Sequence, residues 1–146
     1  MDESINLLAK IKQEFECKDV DLRTYSPLTL AFLGDCVYDI IIRTVVVERG
    51  NRAPQGLHKK KSYLVNAKTQ KELIESIQDL LTEEEESVYR RGRNAKSYTT
   101  AKNASVGDYR KATGFEALLG YLYLDDKMDR VMYLIKEGLK RIGAEI

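Results

Sequence analysis

Proline stands at only two positions of this chain, 27 and 54, and in the long stretches around them apolar residues recur at every third or fourth position. That spacing is one face of an α-helix, so the expectation is an all-helical fold. The clearest local signal is Ser26-Pro27. A serine side chain can accept from the free backbone N–H groups of a first turn, and proline in the first helical position loses no hydrogen bond. The helix starting there is expected to run to about Glu48. Its apolar residues (Leu28, Leu30, Phe32, Leu33, Val37, Ile40, Ile41, Ile42, Val45, Val46, Val47) cover most of the circumference, which predicts burial at the centre of the fold.

The other elements follow from the same period and from punctuation. An opening helix carries Ile5, Leu8, Ile11 and Phe15 as one stripe, and a turn-rich connector covers 17–25. Residues 1–25 thus read as a helical arm ahead of a single domain over 26–146. After a turn at Gly50, Asn51 and Pro54, helices are predicted around 57–65 and 68–81, the second with Leu73, Ile74, Ile77, Leu80 and Leu81 on its apolar face. Thr82 with Glu85 is a capping-box pattern, opening a helix that is expected to end at Gly92. Glu83 to Glu86 complement the dipole of that helix, and the acidic run needs no functional explanation. Residues 93–104 have no hydrophobic period and read as an exposed loop. A helix over 105–124 and a last helix carrying Met128, Val131, Ile135 and Leu139 complete the chain.

Composition sets bounds. A chain of 146 residues, 43% hydrophobic, suits one buried core. Lys+Arg 24 against Asp+Glu 23 nearly cancel, so any attraction for nucleic acid has to come from local clustering. Cys17 and Cys36 stand far apart and outside any CxxC pair, which suggests neither a disulfide framework nor a zinc site and fits a reducing cytoplasm. The acidic start is unlike a signal peptide, and no apolar run approaches the roughly 20 residues of a membrane span. A soluble cytoplasmic protein without a membrane partner is expected.

Two acids stand out because their neighbours are apolar. Asp35 lies within Phe32-Leu33-Gly34-Asp35-Cys36, and Glu116 within Phe115-Glu116-Ala117-Leu118-Leu119-Gly120. Carboxylates at such depth are costly unless paired or bound to a cation. Ala31, Asp35 and Asp39 share one helix face, so Asp39 is a candidate to join Asp35 around a cation or a catalytic water. Thr113 lies one turn before Glu116. Acids on two central helices, far apart in sequence, are what an oxygen-lined divalent metal site between crossing helices needs. Ion pairs with Lys or Arg, or positions at a helix edge, explain the same acids without a metal. Gly114, Ala117 and Gly120 would permit a close helix contact, at a dimer interface or within the core.

Basic residues form the third element. His58, Lys59, Lys60 and Lys61 lead a helix that continues toward Lys68 and Lys71, Arg90, Arg91, Arg93, Lys96 and Lys102 follow, and no acid occurs between Ser87 and Gly107. Such runs can neutralise phosphates and give salt-dependent binding, with groove geometry adding selectivity for A-form RNA. A solvated charged face accounts for any single lysine. A Gly-rich phosphate loop, a GxSxG elbow and a His pair at metal-ligand spacing are all absent, so chemistry built on a His-activated nucleophile is not expected.

These residues together resemble a known family. Phe32-Leu33-Gly34-Asp35 resembles the signature helix of ribonuclease III catalytic domains. The run from Phe115-Glu116 to Leu124 resembles the later helix that supplies their second essential carboxylate, and 57–67 is similar to their third helix. The acidic run Glu83 to Glu86 followed by Arg91-Gly92-Arg93-Asn94-Ala95-Lys96 resembles the Mini-III branch, and is the most specific match. The likeness covers roughly 26–139. Larger members carry a further glutamate and aspartate where this chain has Ala31 and Thr113, a reduction that Mini-III enzymes share.

The resemblance implies a magnesium-dependent endoribonuclease for double-stranded RNA, with manganese as a substitute ion and Asp35 and Glu116 as catalytic ligands, Asp39 being a further candidate ligand. It implies 5′-phosphate and 3′-hydroxyl products, a homodimer with the duplex in its valley, and maturation of 23S ribosomal RNA precursor, with ribosomal proteins as further partners. A chain ending at Ile146 leaves no room for a double-stranded RNA-binding domain, so RNA contact is assigned to His58, Lys59, Lys60, Arg93, Asn94, Lys96 and Lys102. Two other readings compete. A catalytically silent RNA-binding member would explain Ala31 and Thr113, and a helical scaffold would owe its basic patches to solubility.

Overall fold

The computed structural model describes residues 6–50, 53–96, 105–144 and 146, and among them every regular element is a helix. The order is α1 (Leu7–Glu14), α2 (Pro27–Glu48), α3 (Pro54–Val65), α4 (Ala67–Ser76), α5 (Glu83–Asn94), α6 (Val106–Leu124) and α7 (Met128–Arg141), with single 3-10 turns at Leu22–Thr24 and Gln78–Leu80. Two predicted starts hold because their chemistry is local. Ser26 caps α2 by accepting from the Thr29 N–H at 3.2 Å, with Pro27 in its first turn. Thr82 and Glu85 close both bonds of the capping box, at 3.1 and 2.9 Å.

Helix α6 is the axis of the fold. Ten of its residues, among them Phe115, Ala117, Leu118 and Leu119, are buried, and α2, α4 and α5 pack around it. α2 crosses it backbone to backbone. A Cβ on Gly34 would fall 1.7 Å from the Glu116 carbonyl oxygen, and one on Gly120 would fall 2.0 Å from the Leu30 carbonyl oxygen. The small residues of α6 therefore serve contacts inside the chain. Tyr38 fixes α3 against this pair of helices: its ring stands edge-on to Phe115 at 5.6 Å, and its hydroxyl donates to the Leu64 carbonyl at 2.7 Å.

α7 is tied to α5 by a buried pair. Arg130 donates from Nε and Nη2 to the two oxygens of Glu85, both at 2.8 Å, and from Nη2 to the Leu80 carbonyl at 2.6 Å. Burial alone would raise the Glu85 carboxyl, but the Arg130 and Thr82 hydrogen bonds outweigh it and hold the group below its ordinary value.

Four sequence expectations change. α2 is not buried all round: Leu30, Ala31, Gly34, Val37, Tyr38, Ile42 and Val46 face the core, whereas Phe32 is 84% exposed and Ile40 and Val47 are more than half exposed. Helical period counts apolar residues and does not say what covers them. α5 continues through Gly92 to Asn94, because Gly92 is a packing position: a Cβ there would meet the Ala117 Cβ at 2.8 Å and the Gly114 Cα at 2.9 Å. The first turn of α3 starts at Pro54, ahead of its apolar residues, since proline is well suited to a first turn. The helix predicted over 68–81 divides into α4 and the Gln78–Leu80 turn. α1 forms over the predicted region with Asn6 as its cap, but it has no buried residue; Phe15 of the predicted stripe ends it, and Ile5 lies outside the described residues.

Candidate active site

Asp35 and Glu116 meet where α2 crosses α6. Each stands immediately beside the glycine contact: Asp35 follows Gly34, and the Glu116 carbonyl is the atom that a Cβ on Gly34 would strike. The crossing itself brings two residues 81 positions apart in sequence within hydrogen-bonding reach. Asp35 is exposed at the rim and Glu116 is half-buried behind it. Burial, then the hydrogen bond to Asp35, then its charge push the Glu116 carboxyl up to about 9. Both causes disfavour the Glu116 carboxylate, so without a cation Glu116 keeps its proton at neutral pH.

Two carboxyls at one point are a set of oxygen donors suited to a hard divalent cation, which can take the place of the Glu116 proton. Among the described residues no group of three or more His, Cys, Asp or Glu gathers at one point. A cation held here would have two protein carboxylates and water for the rest, an arrangement that magnesium accepts. The two replaced positions add no further carboxylate. Ala31 packs into the core, and the Thr113 hydroxyl donates to the Tyr109 carbonyl at 2.9 Å.

Asp39 lies one turn beyond Asp35 and is engaged by cations. Its Oδ2 is 2.7 Å from Arg43 Nε, and its Oδ1 is 3.7 Å from Lys61 Nζ. Sequence reasoning passed over Arg43 and Lys61 at this site. The Asp39–Arg43 spacing of four was the available signal for the first, and nothing local marks the second.

Of the residues assigned to RNA, His58 and Lys59 are exposed on α3 and Lys60 is half-buried. Arg93 and Asn94 end α5 instead of opening a loop. The Arg93 guanidinium lies over the Tyr89 ring at 5.7 Å, and its Nε donates to Asn94 Oδ1 at 3.3 Å. Lys96 is exposed. Lys102 lies outside the described residues, as does the stretch 97–104 of the predicted loop.

The fold is that of the ribonuclease III domain, whose family model matches residues 28–127. A crystal structure of a protein from Fusobacterium nucleatum superposes with a TM-score of 0.74 at 34% identity, covering 84% of this chain and 98% of that one. Mini-ribonuclease 3 of Enterococcus faecalis is 46% identical over 125 residues, 84% of this chain and 95% of the relative. Mini-ribonuclease 3 of a Thermoanaerobacter strain is 51% identical over 117 residues, 80% of this chain and 82% of the relative. The chain belongs to the ribonuclease III family of endoribonucleases, in its Mini-ribonuclease 3 branch.

Proposed function

We propose that this protein cuts double-stranded RNA by magnesium-dependent hydrolysis at the Asp35–Glu116 pair, leaving 5′-phosphate and 3′-hydroxyl ends. The observation that carries the reading is the α2–α6 crossing, which sets Asp35 beside Glu116 in otherwise apolar helices; burial and Asp35 push the Glu116 carboxyl up, which favours a cation there. Asp35, at the exposed rim, meets the scissile phosphate side, and Glu116 anchors the site from behind. Magnesium, or manganese in its place, would supply a nucleophilic water and neutralise charge on the phosphate when bound. Water is the nucleophile and the 2′-hydroxyl serves recognition, which sets the 5′-phosphate product. Asp39, held by Arg43 and Lys61, is available to the cation only if those pairs open.

The exposed side chains of His58, Lys59 and Lys96, together with Lys60, Arg93, Asn94 and Lys102, are the proposed contacts to the duplex. An uncovered stripe of Leu28, Phe32 and Ile40 along α2 supports a homodimer. No described helix is long and apolar enough to cross a membrane. Cytoplasmic maturation of 23S ribosomal RNA precursor, beside ribosomal proteins, fits a bacterial nuclease of this branch.

The test is incubation of a paired RNA and its single strands in magnesium and in EDTA, with the product ends identified. Cuts in the duplex alone, only with magnesium, and carrying 5′-phosphate are expected. Cleavage in EDTA, or 2′,3′-cyclic ends, contradicts the proposal. For the dimer, Phe32→Glu should sediment as a monomer where the wild type sediments as a dimer; a wild-type monomer refutes it.

A further inference from the structure

We propose that the cleft between the C-terminal half of α2 and the start of α3 is a phosphate subsite for the RNA strand being cut, with Asp39 as the residue that positions its two principal cations. The inference rests on the ribonuclease reading above and extends it to Arg43 and Lys61, which that reading does not place on the RNA.

The cleft has a volume of about 520 Å³ and is lined by Arg43, Val46, Val47, Pro54, Gln55, Leu57, His58 and Lys61. Among the described lining residues Arg43, Lys61 and His58 supply donors, none is acidic, and four of the other five are aliphatic. A phosphate with its ribose presents the complementary surface, charged oxygens beside an apolar sugar face.

Register ties the cleft to the carboxylate pair. Asp35, Asp39 and Arg43 stand at intervals of four on one face of α2, so Arg43 lies about 12 Å along the helix from Asp35. His58 and Lys61, three apart, share a face of α3. A strand with one phosphate at Asp35 and Glu116 would pass a neighbouring phosphate over this cleft.

Asp39 makes the cations available without cancelling them. It holds Arg43 closely, at 2.7 Å, and Lys61 loosely, at 3.7 Å. The second distance is beyond a hydrogen bond, so the Lys61 ammonium keeps its donors for a phosphate oxygen. Two cations against one anion leave a surplus positive charge. The Asp39 carboxylate thus orients Arg43 toward the cleft and is itself kept from repelling the strand.

The test uses the full chain and a duplex RNA carrying one neutral methylphosphonate linkage at a time, with binding measured in calcium across a salt series. The wild type should lose affinity about tenfold at one linkage close to the cut. Arg43→Gln and Lys61→Gln should bind the unmodified duplex about tenfold more weakly, with a salt slope lower by about one, and should be indifferent to that linkage. Lys61→Arg should restore affinity. Asp39→Asn keeps both cations but frees Arg43, so it should bind the duplex less weakly than Arg43→Gln yet lose the sensitivity to that linkage. Variants with wild-type affinity, salt slope and linkage sensitivity overturn the proposal, and an Asp39→Asn protein with wild-type linkage sensitivity overturns the positioning role. Variants that shift only the monomer–dimer balance in sedimentation assign the cleft to a second copy of the chain, which also overturns it. A wild type that binds but never cuts in magnesium refutes the ribonuclease reading instead, and the linkage series still decides the cleft.

Discussion

The α-carbon of Gly34 lies so close to Glu116 that a methyl group on it would fall 1.7 Å from the Glu116 carbonyl oxygen. The atom it would strike is backbone on a buried helix, which cannot swing aside. The contact that holds α2 to α6 is therefore the same contact that sets the separation of Asp35 from Glu116.

Gly34→Ala should accordingly cost both stability and activity. The loss expected in urea denaturation is about 3 kcal/mol or more, the upper part of the range for overpacking, because there is no side chain to repack. A variant that keeps wild-type stability would show that the helices can separate without penalty.

Glu116→Gln should stabilise the metal-free protein at neutral and alkaline pH. The folded carboxyl titrates at about 9, above its unfolded value of 4.5. A raised carboxyl contributes stability that is fully present below the unfolded value and is lost as pH rises through the window to the folded value. The amide does not titrate in this range, so in EDTA the variant should match the wild type near pH 4 and exceed it by about 4 to 5 kcal/mol near pH 8, roughly 1.4 kcal/mol for each pH unit above 4.5. Thermal melts at the two pH values check this, and equal melting at pH 8 would contradict the raised Glu116 carboxyl.

Arg130→Met should leave Glu85 buried without its partner, a loss of about 3 kcal/mol at pH 7. The wild-type Glu85 carboxyl is held below 4.5, so its contribution is present above that value and is lost as pH falls through the folded value. The gap between variant and wild type, followed by urea denaturation, should narrow below about pH 4. A gap that stays constant would mean the arginine acts through packing alone.

How much of this was legible in the sequence depends on whether the cause is local. Ser26, Pro27, Thr82 and Glu85 act within one turn, and their helices begin as predicted. Gly92 is misread by the same logic, since a glycine after a helical run suggests a cap, whereas here it makes room for Ala117 and Gly114 from another helix. Phe32 fits a buried period and is exposed, because periodicity carries no information about which faces one chain can cover. The acids Asp35 and Glu116 were visible as charges in apolar helices, but their juxtaposition depends on the Gly34 and Gly120 crossing. Asp39 looked equivalent to Asp35 at helical spacing; Lys61, on another helix, sets it apart.

The central claim is that Asp35 and Glu116 carry out the cut and do not merely shape the fold. The most direct measurement is single-turnover cleavage of a duplex RNA in magnesium by Glu116→Gln and Asp35→Asn, with the affinity of each for that duplex measured in calcium. The account predicts affinity within a few-fold of wild type and a cleavage rate lower by at least about a thousandfold in both variants, the loss of roughly 4 kcal/mol of transition-state stabilisation. A folded, RNA-binding Glu116→Gln protein that cuts at the wild-type rate would contradict it.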